Sequence, residues 1–310
     1  MNQEKVKVII IGSGPAGLTA ALYTARAQLN PVVLTGKALG GQVALTYHIE
    51  NYPGFPQGVS GQVLAEAFTE QAQVFGAVLE YDSAIKVDFS RPPFRVVTEE
   101  KEYLAEAVII TSGADPKYLG VPGEKEYTGR GVSYCATCDG HFFKEKEVIV
   151  VGGGDSAVEE GLFLTRFAKK VTIVHRRDAL RASAILQQRA FANPKIQFIW
   201  NSVVTEIRGK EFTEEALLKN VKTQEVFRIK TDGIFIFIGY VPNTEIFKGQ
   251  LQLDENGYIV VDAKMNTNIK GIFAAGEVAD PYFRQVVTSA GMGAAAAMQA
   301  IRYLDNLSSH

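Results

Sequence analysis

The sequence predicts an α/β protein with two Rossmann-like dinucleotide-binding folds, one inserted into the other. The main observation is an internal repeat: residues 7–12 (KVIIIG) resemble residues 147–152 (EVIVVG), and each copy continues through a glycine cluster into an apolar stretch of helical periodicity. A second β-branched strand follows each stretch, at residues 31–34 and 170–174. This order of strand, turn, helix and strand is a βαβ unit, whose right-handed crossover requires a parallel sheet.

Composition sets the limits of the remaining interpretation. The chain has 310 residues, of which 46% are hydrophobic and 21% charged, and its formal net charge is −2. This composition supplies packed cores and argues against a disordered chain, and the charge balance argues against nucleic acid or an anionic membrane as the main partner. Two cysteines are too few for a disulfide-stapled secreted scaffold. No apolar run reaches the ~18 residues of a membrane span, so we expect a cytoplasmic protein.

The first glycine cluster has the G-x-G-x-x-G form. Gly12 permits the tight turn, Gly14 lets the backbone approach a pyrophosphate, and Gly17 allows close packing of helix on strand. Glycine turns after strands are common, so the pattern gains its meaning from the strand and helix that flank it. No aspartate or glutamate lies near Thr35, where such folds often have an acidic residue that binds the ribose. The cluster consists of Gly12, Ser13, Gly14, Pro15, Ala16 and Gly17.

The second glycine cluster has alanine in its third position, which the fingerprint allows. About 20 residues further on, where an acid would bind a free ribose 2′-hydroxyl, the chain has a basic cluster. Arginines there would instead bind a 2′-phosphate with two parallel hydrogen bonds, so we interpret this fold as NADPH-selective. The alternative is a solvated basic turn. The residues concerned are Gly152, Gly154, Asp155, Ser156 and Ala157, followed by His175, Arg176, Arg177 and Arg181.

Both cysteines lie in one C-x-x-C segment, Cys135 to Cys138. A structural zinc site needs four ligands, and the four histidines are not at finger spacing. Two inert buried thiols are the other alternative. The spacing favours reversible dithiol–disulfide exchange, in which Asp139 would hold or deliver a proton unless it is only a turn residue.

Breaks in the pattern define three segments of chain. Gly113 and Pro116 interrupt a buried strand, and a turn at residues 240–243 follows another. The tail has a buried strand at 271–276 and a small-residue helix at 289–304 but no third fingerprint, so we expect it to complete the first fold. The predicted domains are therefore 1–114 with 244–310, and 115–243.

The two fingerprints, the Cys-Ala-Thr-Cys-Asp-Gly segment and the His-Arg-Arg cluster, taken in this order, resemble the bacterial-type, low-molecular-weight thioredoxin reductases over nearly the whole chain. The resemblance implies FAD on the first fold, NADPH on the inserted fold, a homodimer and thioredoxin as the disulfide substrate. It also implies FAD contacts from Thr35, Gly36, Gly41, Gln42, Asn51, Gly113, Gly276, Glu277, Arg284, Gln285 and Val286.

Two segments depart from the pattern of that family. Glu277 stands where the family usually has aspartate, which moves the carboxylate one methylene outward and puts its bond to the ribityl chain in question. Residues 111–113 read Thr-Ser-Gly where Ala-Thr-Gly is common, an exchange that keeps a hydroxyl.

With two cysteines, the same pair must accept electrons from the flavin and deliver them to a protein disulfide. We therefore expect two domain arrangements, exchanged by rotation near residues 114–116 and 240–243. By resemblance, Cys138 lies nearer the flavin and Cys135 attacks the partner.

The partner surface is less defined by the sequence. Phe142 and Phe143 are either a docking patch or core, and Arg130 is either a contact or a solvated loop residue. Alternative functions are reduction of a peroxiredoxin or glutaredoxin-like partner, a flavoprotein reduced by ferredoxin, or a redox sensor that does not turn over.

Overall fold

The computed structural model describes residues 2–36, 38–46, 49 and 51–308. The chain divides into two compact units. Unit 1 consists of Met1–Asp115 and Val241–His310, and unit 2 is Pro116–Tyr240. Unit 1 is thus built from two separate stretches of chain, and unit 2 is the single stretch between them.

The described residues form both helices and strands. The α-helices are α1 (Pro15–Arg26), α2 (Gly61–Val74), α3 (Ala136–Asp139), α4 (Asp155–Leu164), α5 (Ala184–Ala192) and α6 (Val286–Ser308). Short 3-10 turns cover Gly41–Leu45, Gly140–Phe143, Glu245–Phe247 and Gly276–Val278. The strands are β1 (Asn2–Ile11), β2 (Val32–Leu34), β3 (Val78–Glu80), β4 (Lys86–Asp88), β5 (Phe94–Val97), β6 (Lys101–Ile110), β7 (Ala114–Pro116), β8 (Val132–Ser133), β9 (Glu147–Val151), β10 (Lys170–Val174), β11 (Ile196–Ile199), β12 (Ser202–Gly209), β13 (Thr213–Asn220), β14 (Val226–Lys230), β15 (Gly233–Ile236), β16 (Tyr240–Pro242) and β17 (Ile272–Ala274).

Unit 1 contains a sheet in the order β3-β2-β1-β6-β5-β4, with β17 also paired to β6. β1 is parallel to both β2 and β6, and β17 is parallel to β6. Alternate residues of β1 enter two different cores: Ile9 packs with the phenylalanines of one face, and Ile10 packs with alanines of α1 and α6 on the other. Both faces of β1 are therefore covered, as in the α/β folds that the sequence predicts.

Unit 2 contains a parallel sheet in the order β11-β10-β9-β15-β8 and a separate antiparallel sheet, β12-β13-β14. α4 follows β9 directly and packs on one face of the parallel sheet, whose other face meets the antiparallel sheet through a second core. The βαβ order that the repeat predicts is thus present in both units, and the chain is an α/β protein with two Rossmann-like folds. No helix of the described chain is both long and apolar enough to cross a membrane.

The two segments that connect the units are β7 and β16, which pair with each other. Residues 240–243 were expected as a turn, but Tyr240–Pro242 is extended and forms β16. At the unit 2 end of the pair, the Lys117 N–H donates to the Gly239 carbonyl at 2.9 Å, and at the unit 1 end the Asn243 N–H donates to the Gly113 carbonyl at 3.0 Å. A strand replaces the predicted turn because pairing satisfies backbone groups that a turn would leave to solvent.

Candidate functional site

The first glycine turn lies at the carboxyl end of β1, in unit 1. A Cβ on Gly17 would lie 1.9 Å from the Gly12 carbonyl oxygen, and a Cβ on Gly12, where φ is +113°, would lie 2.3 Å from the Thr111 carbonyl oxygen. A Cβ on Gly14 would meet nothing within 4 Å. α1 then begins at Pro15, whose missing N–H costs nothing at that position. The turn is therefore packed against its own strand and helix and is open on the side of Gly14.

Neighbouring strand ends hold this turn in place. The Ser13 hydroxyl donates to the Thr35 carbonyl at 2.8 Å, which joins the end of β1 to the end of β2. The Thr111 hydroxyl, after β6, lies 2.9 Å from the Gly12 carbonyl and 3.1 Å from that of Ile11. Gly36 and Gly113 follow the same strands at φ of +73° and +68°, and a Cβ on either would meet nothing within 4 Å. Three strand ends thus converge on one open edge.

Several other predicted FAD contacts of unit 1 are close to one another. The Gln42 side-chain amide donates to Asp115 Oδ1 at 2.9 Å, and the Asn51 amide donates to Gln285 Oε1 at 3.0 Å. Gly276 is packed so closely on α1 that a Cβ there would lie 2.9 Å from the Ala16 Cβ. The second stretch of unit 1 is thereby brought against the first glycine turn. Gly41 adopts φ of +59°, and Val286 opens α6.

Glu277 is the titratable group of this region with the largest change in acidity. Burial raises the pKa of its carboxyl to about 7, while the Arg284 guanidinium acts in the opposite direction and Asp280 and Asp115 add smaller increases. Asp280 is itself buried, and its Oδ1 accepts the N–H groups of Tyr282 and Phe283 at 2.8 and 3.1 Å. Its Oδ2 has no hydrogen-bond partner in the described residues. Asp280 is not among the predicted site residues, and its position three residues after Glu277 is the only signal for it in the sequence.

The second glycine turn follows β9 in unit 2. A Cβ on Gly153 would lie 2.4 Å from atoms of the His175 imidazole, so that ring occupies the space beside the turn. A Cβ on Gly154 would meet nothing within 4 Å, and α4 begins at the next residue, Asp155. Ser156 is exposed, and Ala157 is buried under the turn. As in unit 1, the turn is packed on one side and open at its middle glycine.

The basic cluster lies on the loop that begins at His175. His175 is buried, and its pKa is lowered first by that burial and then by the nearby guanidinium groups of Arg181, Arg177 and Arg176. The three arginines are exposed, and none forms an ion pair with a carboxylate of the described chain. The acid on the same loop, Asp178, is instead paired with Lys222 at 2.7 Å. Three guanidinium groups are thus left for an anion.

Cys135 and Cys138 form a disulfide across the first turn of α3, with their Cα atoms 5.3 Å apart. The Cys138 N–H donates to Cys135 Sγ at 3.2 Å, and the Cys135 N–H donates to the Ser133 hydroxyl at 3.1 Å. Burial raises the pKa of the adjacent Asp139 carboxyl, although Ser133 and His141 partly offset this. A carboxyl with a raised pKa holds its proton closer to neutral pH, which suits a proton donor to a thiolate.

The segment before Cys135 is held by groups that the sequence analysis did not identify. The Tyr134 hydroxyl donates to Glu124 Oε1 at 3.0 Å, and the Tyr240 hydroxyl donates to the Tyr134 carbonyl at 2.8 Å. Glu124 is only 4% exposed, and its carboxylate also accepts the N–H groups of Leu119 and Gly120 at 2.8 and 2.7 Å. A buried acid of this kind has no sequence signature, because its partners are mainly backbone amides.

The structure separates the two phenylalanines after the redox turn. Phe143 is buried and packs on Phe235, where Gly233 leaves room for its ring, so of the two alternatives Phe143 is core. Phe142 is 39% exposed. Arg130 is exposed, and its guanidinium donates to the Glu126 carbonyl at 2.7 Å.

No group of three or more histidine, cysteine, aspartate or glutamate side chains in the described ranges is placed to hold a metal ion. Of the four histidines considered as zinc ligands, His48 and His310 lie outside the described residues. The open glycines of both turns and the exposed Arg176, Arg177 and Arg181 instead fit two large anionic ligands that approach the backbone closely. Asp280 Oδ2 is left to accept a hydrogen bond from a ligand hydroxyl.

Comparison with known proteins agrees with this geometry. Residues 6–293 match the pyridine nucleotide-disulphide oxidoreductase family. The chain is 49% identical over 302 residues to a thioredoxin reductase of Peptoclostridium acidaminophilum, covering 96% of both chains, and 51% identical over 305 residues to one of Streptomyces coelicolor, covering 97% of this chain and 94% of the other. Among solved structures, thioredoxin reductase from Streptococcus pyogenes MGAS5005 superimposes with a TM-score of 0.93 at 48% identity, covering 97% of this chain and 99% of the other.

The matches extend over nearly the full length of this chain and of each relative, and the two glycine turns, the basic cluster and the disulfide described above lie within the matched residues 6–293. The chain therefore belongs to the thioredoxin reductase family of the pyridine nucleotide-disulphide oxidoreductases.

Proposed function

We propose that the chain reduces the disulfide of thioredoxin with NADPH as electron donor, using FAD on unit 1 and NADPH on unit 2. The observation that carries the proposal is the Cys135–Cys138 disulfide, formed by the only two cysteines of the chain, in the same unit as the basic cluster. Overall, NADPH and one proton convert a disulfide into two thiols. FAD, when bound, passes the electron pair from NADPH to the Cys135–Cys138 disulfide.

The residues assigned to FAD are those at the open edge of unit 1. Gly14 and the N-terminus of α1 would receive the pyrophosphate, because no Cβ blocks the approach and the helix dipole favours negative charge. Glu277 would face the ribityl chain. With a pKa near 7, it is available as an acceptor or a donor for a hydroxyl. The full set is Gly12, Ser13, Gly14, Pro15, Ala16, Gly17, Thr35, Gly36, Gly41, Gln42, Asn51, Gly113, Gly276, Glu277, Arg284, Gln285 and Val286.

The residues assigned to NADPH are the second glycine turn and the basic cluster. The exposed arginines supply planar donors for the 2′-phosphate, which NADH lacks. His175, buried against Gly153, would remain neutral at pH 7 because its pKa is lowered. The full set is Gly152, Gly154, Asp155, Ser156, Ala157, His175, Arg176, Arg177 and Arg181.

The dithiol is the only protein group that exchanges electrons with the partner. We assign Cys135 as the thiolate that attacks the partner's disulfide: an S–S bond forms between Cys135 and the partner, and one partner thiol leaves. The Cys138 thiolate then attacks Cys135, which releases the second partner thiol and restores the Cys135–Cys138 bond. Asp139, with its raised pKa, supplies or accepts the proton that these steps require.

One pair of cysteines must meet both the flavin and a protein disulfide, so we infer two arrangements of the units during turnover, related by rotation about β7 and β16. The chain would act as a homodimer, in the reducing environment of the cytoplasm where dithiol substrates are maintained. The domain assignment 1–114 with 244–310 for FAD, and 115–243 for NADPH, belongs to this proposal.

The experiment is an anaerobic titration of the FAD-loaded protein, followed through its visible flavin absorbance. We expect fast loss of the flavin band with NADPH, slow loss with NADH, and recovery when oxidised thioredoxin is added. A Cys135→Ser variant is the matched control: its flavin should still be bleached by NADPH, but thioredoxin should not restore the colour.

Other outcomes separate the alternatives. No bleaching by NADPH would contradict the donor assignment and favour a ferredoxin-type donor or a sensor. Bleaching without recovery by thioredoxin would retain a disulfide reductase but reject thioredoxin in favour of a peroxiredoxin or glutaredoxin-like partner.

A further inference from the structure

The loop that carries the basic cluster is tied to the second glycine turn at several points. The Arg181 N–H donates to the Gly153 carbonyl at 2.7 Å, and the Ser183 N–H donates to Asp155 Oδ1 at 2.8 Å. At the start of the loop, the His175 ring fills the space beside Gly153. The glycine turn and the arginines are therefore one connected structure rather than two separate motifs.

The charge on the loop makes these ties important. Arg176, Arg177 and Arg181 are exposed like charges without a carboxylate partner in the described part of the chain, so they repel one another until an anion binds. The loop's own acid, Asp178, is paired with Lys222 and does not offset them. The order of the loop must then come from its backbone ties and from its buried apolar residues.

The contacts that hold the carboxyl end of the loop differ in whether a substitution can remove them without disturbing the fold. Leu180 and Ala182 are buried in the core of unit 2, and a substitution there would disturb the fold itself. The Arg181–Gly153 bond is between backbone groups. Asp155 is exposed, and its carboxylate accepts the Ser183 N–H, so this tie can be changed at a surface side chain.

We propose that Asp155 is a positioning residue for 2′-phosphate discrimination. By accepting the Ser183 N–H, Asp155 Oδ1 fixes the carboxyl end of the loop and with it Arg181, two residues earlier, at a set distance from the turn that receives the rest of the nucleotide. This inference rests on the proposed assignment of NADPH to unit 2. It adds that the selectivity of the arginines depends on a residue that does not touch the 2′-phosphate.

Two effects of Asp155 can be separated by the choice of ligand. The negative charge of Asp155 at the start of α4 acts on the 5′-phosphate, which ligands with and without a 2′-phosphate share. Removing this charge therefore changes the affinity for both ligands in the same direction. The hydrogen bond that Asp155 accepts from Ser183 positions Arg181. Removing this bond therefore changes only the part of the affinity that the 2′-phosphate contributes. The ratio of the two dissociation constants isolates the second effect.

The test is calorimetric titration of the FAD-loaded protein with 2′,5′-ADP and with 5′-AMP. Asp155→Ala removes the acceptor, whereas Asp155→Asn removes the charge but keeps an oxygen acceptor. Ser183→Pro removes the same N–H from the other side, and residue 183 has φ of −58°, which proline adopts without strain. Ser183→Ala, which keeps the N–H, is its control.

We expect the preference for 2′,5′-ADP to fall about tenfold in Asp155→Ala, equivalent to ~1.4 kcal/mol, and by a similar factor in Ser183→Pro. It should stay within about twofold of the unmodified protein in Asp155→Asn and Ser183→Ala. The double variant Asp155→Ala with Ser183→Pro should lose no more than either single change, because both remove one bond. Unfolding temperatures should fall by no more than about 2–4 °C in any variant, as expected for the loss of one hydrogen bond.

A preference retained in Asp155→Ala would overturn the inference, as would an equal loss in Asp155→Asn, which would assign the effect to charge. If the unmodified protein bound 2′,5′-ADP no better than 5′-AMP, the NADPH assignment would fail first and the inference with it. The last outcome is distinguished from the others by the unmodified protein alone.

Discussion

Replacing Gly17 by alanine tests whether the first glycine turn is limited by packing or by ligand approach. A Cβ at residue 17 would lie 1.9 Å from the Gly12 carbonyl oxygen and 2.7 Å from the Thr111 hydroxyl oxygen. Gly14, three residues earlier, offers a matched control, because a Cβ there meets nothing within 4 Å and its φ of −68° suits any residue. The two substitutions add the same methyl group to the same turn.

The expected loss of stability in Gly17→Ala follows from three contributions. Overpacking against a fixed backbone costs ~3 kcal/mol, at the upper end of the usual range. Moving the turn also breaks the Thr111 hydrogen bond to the Gly12 carbonyl, which is worth ~1 kcal/mol. Alanine in the first turn of α1 regains ~1 kcal/mol through its helix propensity. The free energy of unfolding should therefore fall by about 3 kcal/mol.

The assay is urea unfolding of the FAD-free proteins, followed by far-UV circular dichroism, together with the FAD content of each protein as purified. Gly14→Ala should unfold like the unmodified protein but retain less FAD, because its Cβ enters the space expected for the pyrophosphate. Gly17→Ala should lose both stability and FAD. Equal stability of Gly17→Ala and the unmodified protein, or an equal loss in both variants, would refute this account of the turn.

Three further predictions concern acids. Glu277 has a pKa of about 7 in the folded protein against 4.5 as its reference, so the folded state binds its proton more tightly and the carboxyl destabilises the fold increasingly as pH rises from 4.5 through 7. Because Glu277 is partly exposed, the destabilisation expected from this pKa shift is reduced, and Glu277→Gln should stabilise the FAD-free protein by about 1–3 kcal/mol at pH 8. In urea unfolding, the difference in free energy of unfolding between the variant and the unmodified protein should become smaller towards pH 5. Asp139→Asn should lower the steady-state rate of disulfide reduction about 100-fold with unchanged FAD content; an unchanged rate would reject its role as proton donor. Glu124→Gln replaces one carboxylate oxygen by an NH2 group, which faces the N–H of either Leu119 or Gly120, so one of these donors loses its acceptor. The free energy of unfolding, followed by the fluorescence of Trp200, the only tryptophan, should fall by ~2–3 kcal/mol. An effect no larger than that of Glu145→Gln, an exposed control in the same unit, would contradict this.

The sequence was sufficient for the parts of the fold that depend on local pattern. The repeat of residues 7–12 at 147–152 predicted both βαβ units, and the spacing of Gly12 and Gly17 predicted the close contact of helix and strand that the structure shows. Such features can be predicted because glycine at a fixed spacing has few structural alternatives. The roles of individual residues in FAD and NADPH binding stay predictions.

The features that the sequence did not predict depend on distant contacts. Phe142 and Phe143 are adjacent and chemically identical, yet Phe143 is buried over Gly233, where a Cβ would lie 2.2 Å from its ring, and Phe142 is 39% exposed. Glu124 and Asp280 look like surface acids in the sequence, yet both are buried on backbone N–H groups. Residues 240–242 form a strand rather than the expected turn because they pair with β7. The sequence did not predict this because β7 lies more than a hundred residues earlier in the chain.

The interrupted chain of unit 1 also imposes an order on synthesis. Unit 2 is continuous and leaves the ribosome whole, whereas unit 1 still lacks β17 and α6 at that time. Until Ile272 emerges, residues 108–110 of β6 have no partner on the side that β17 later occupies, and the alanines of α1 lack the helix that covers them. An unpaired strand edge and an uncovered apolar face are the features that nascent chains most often need chaperones to protect. Unit 2 can therefore fold before unit 1 is complete, and the sheet of unit 1 is finished only when β17 pairs with β6.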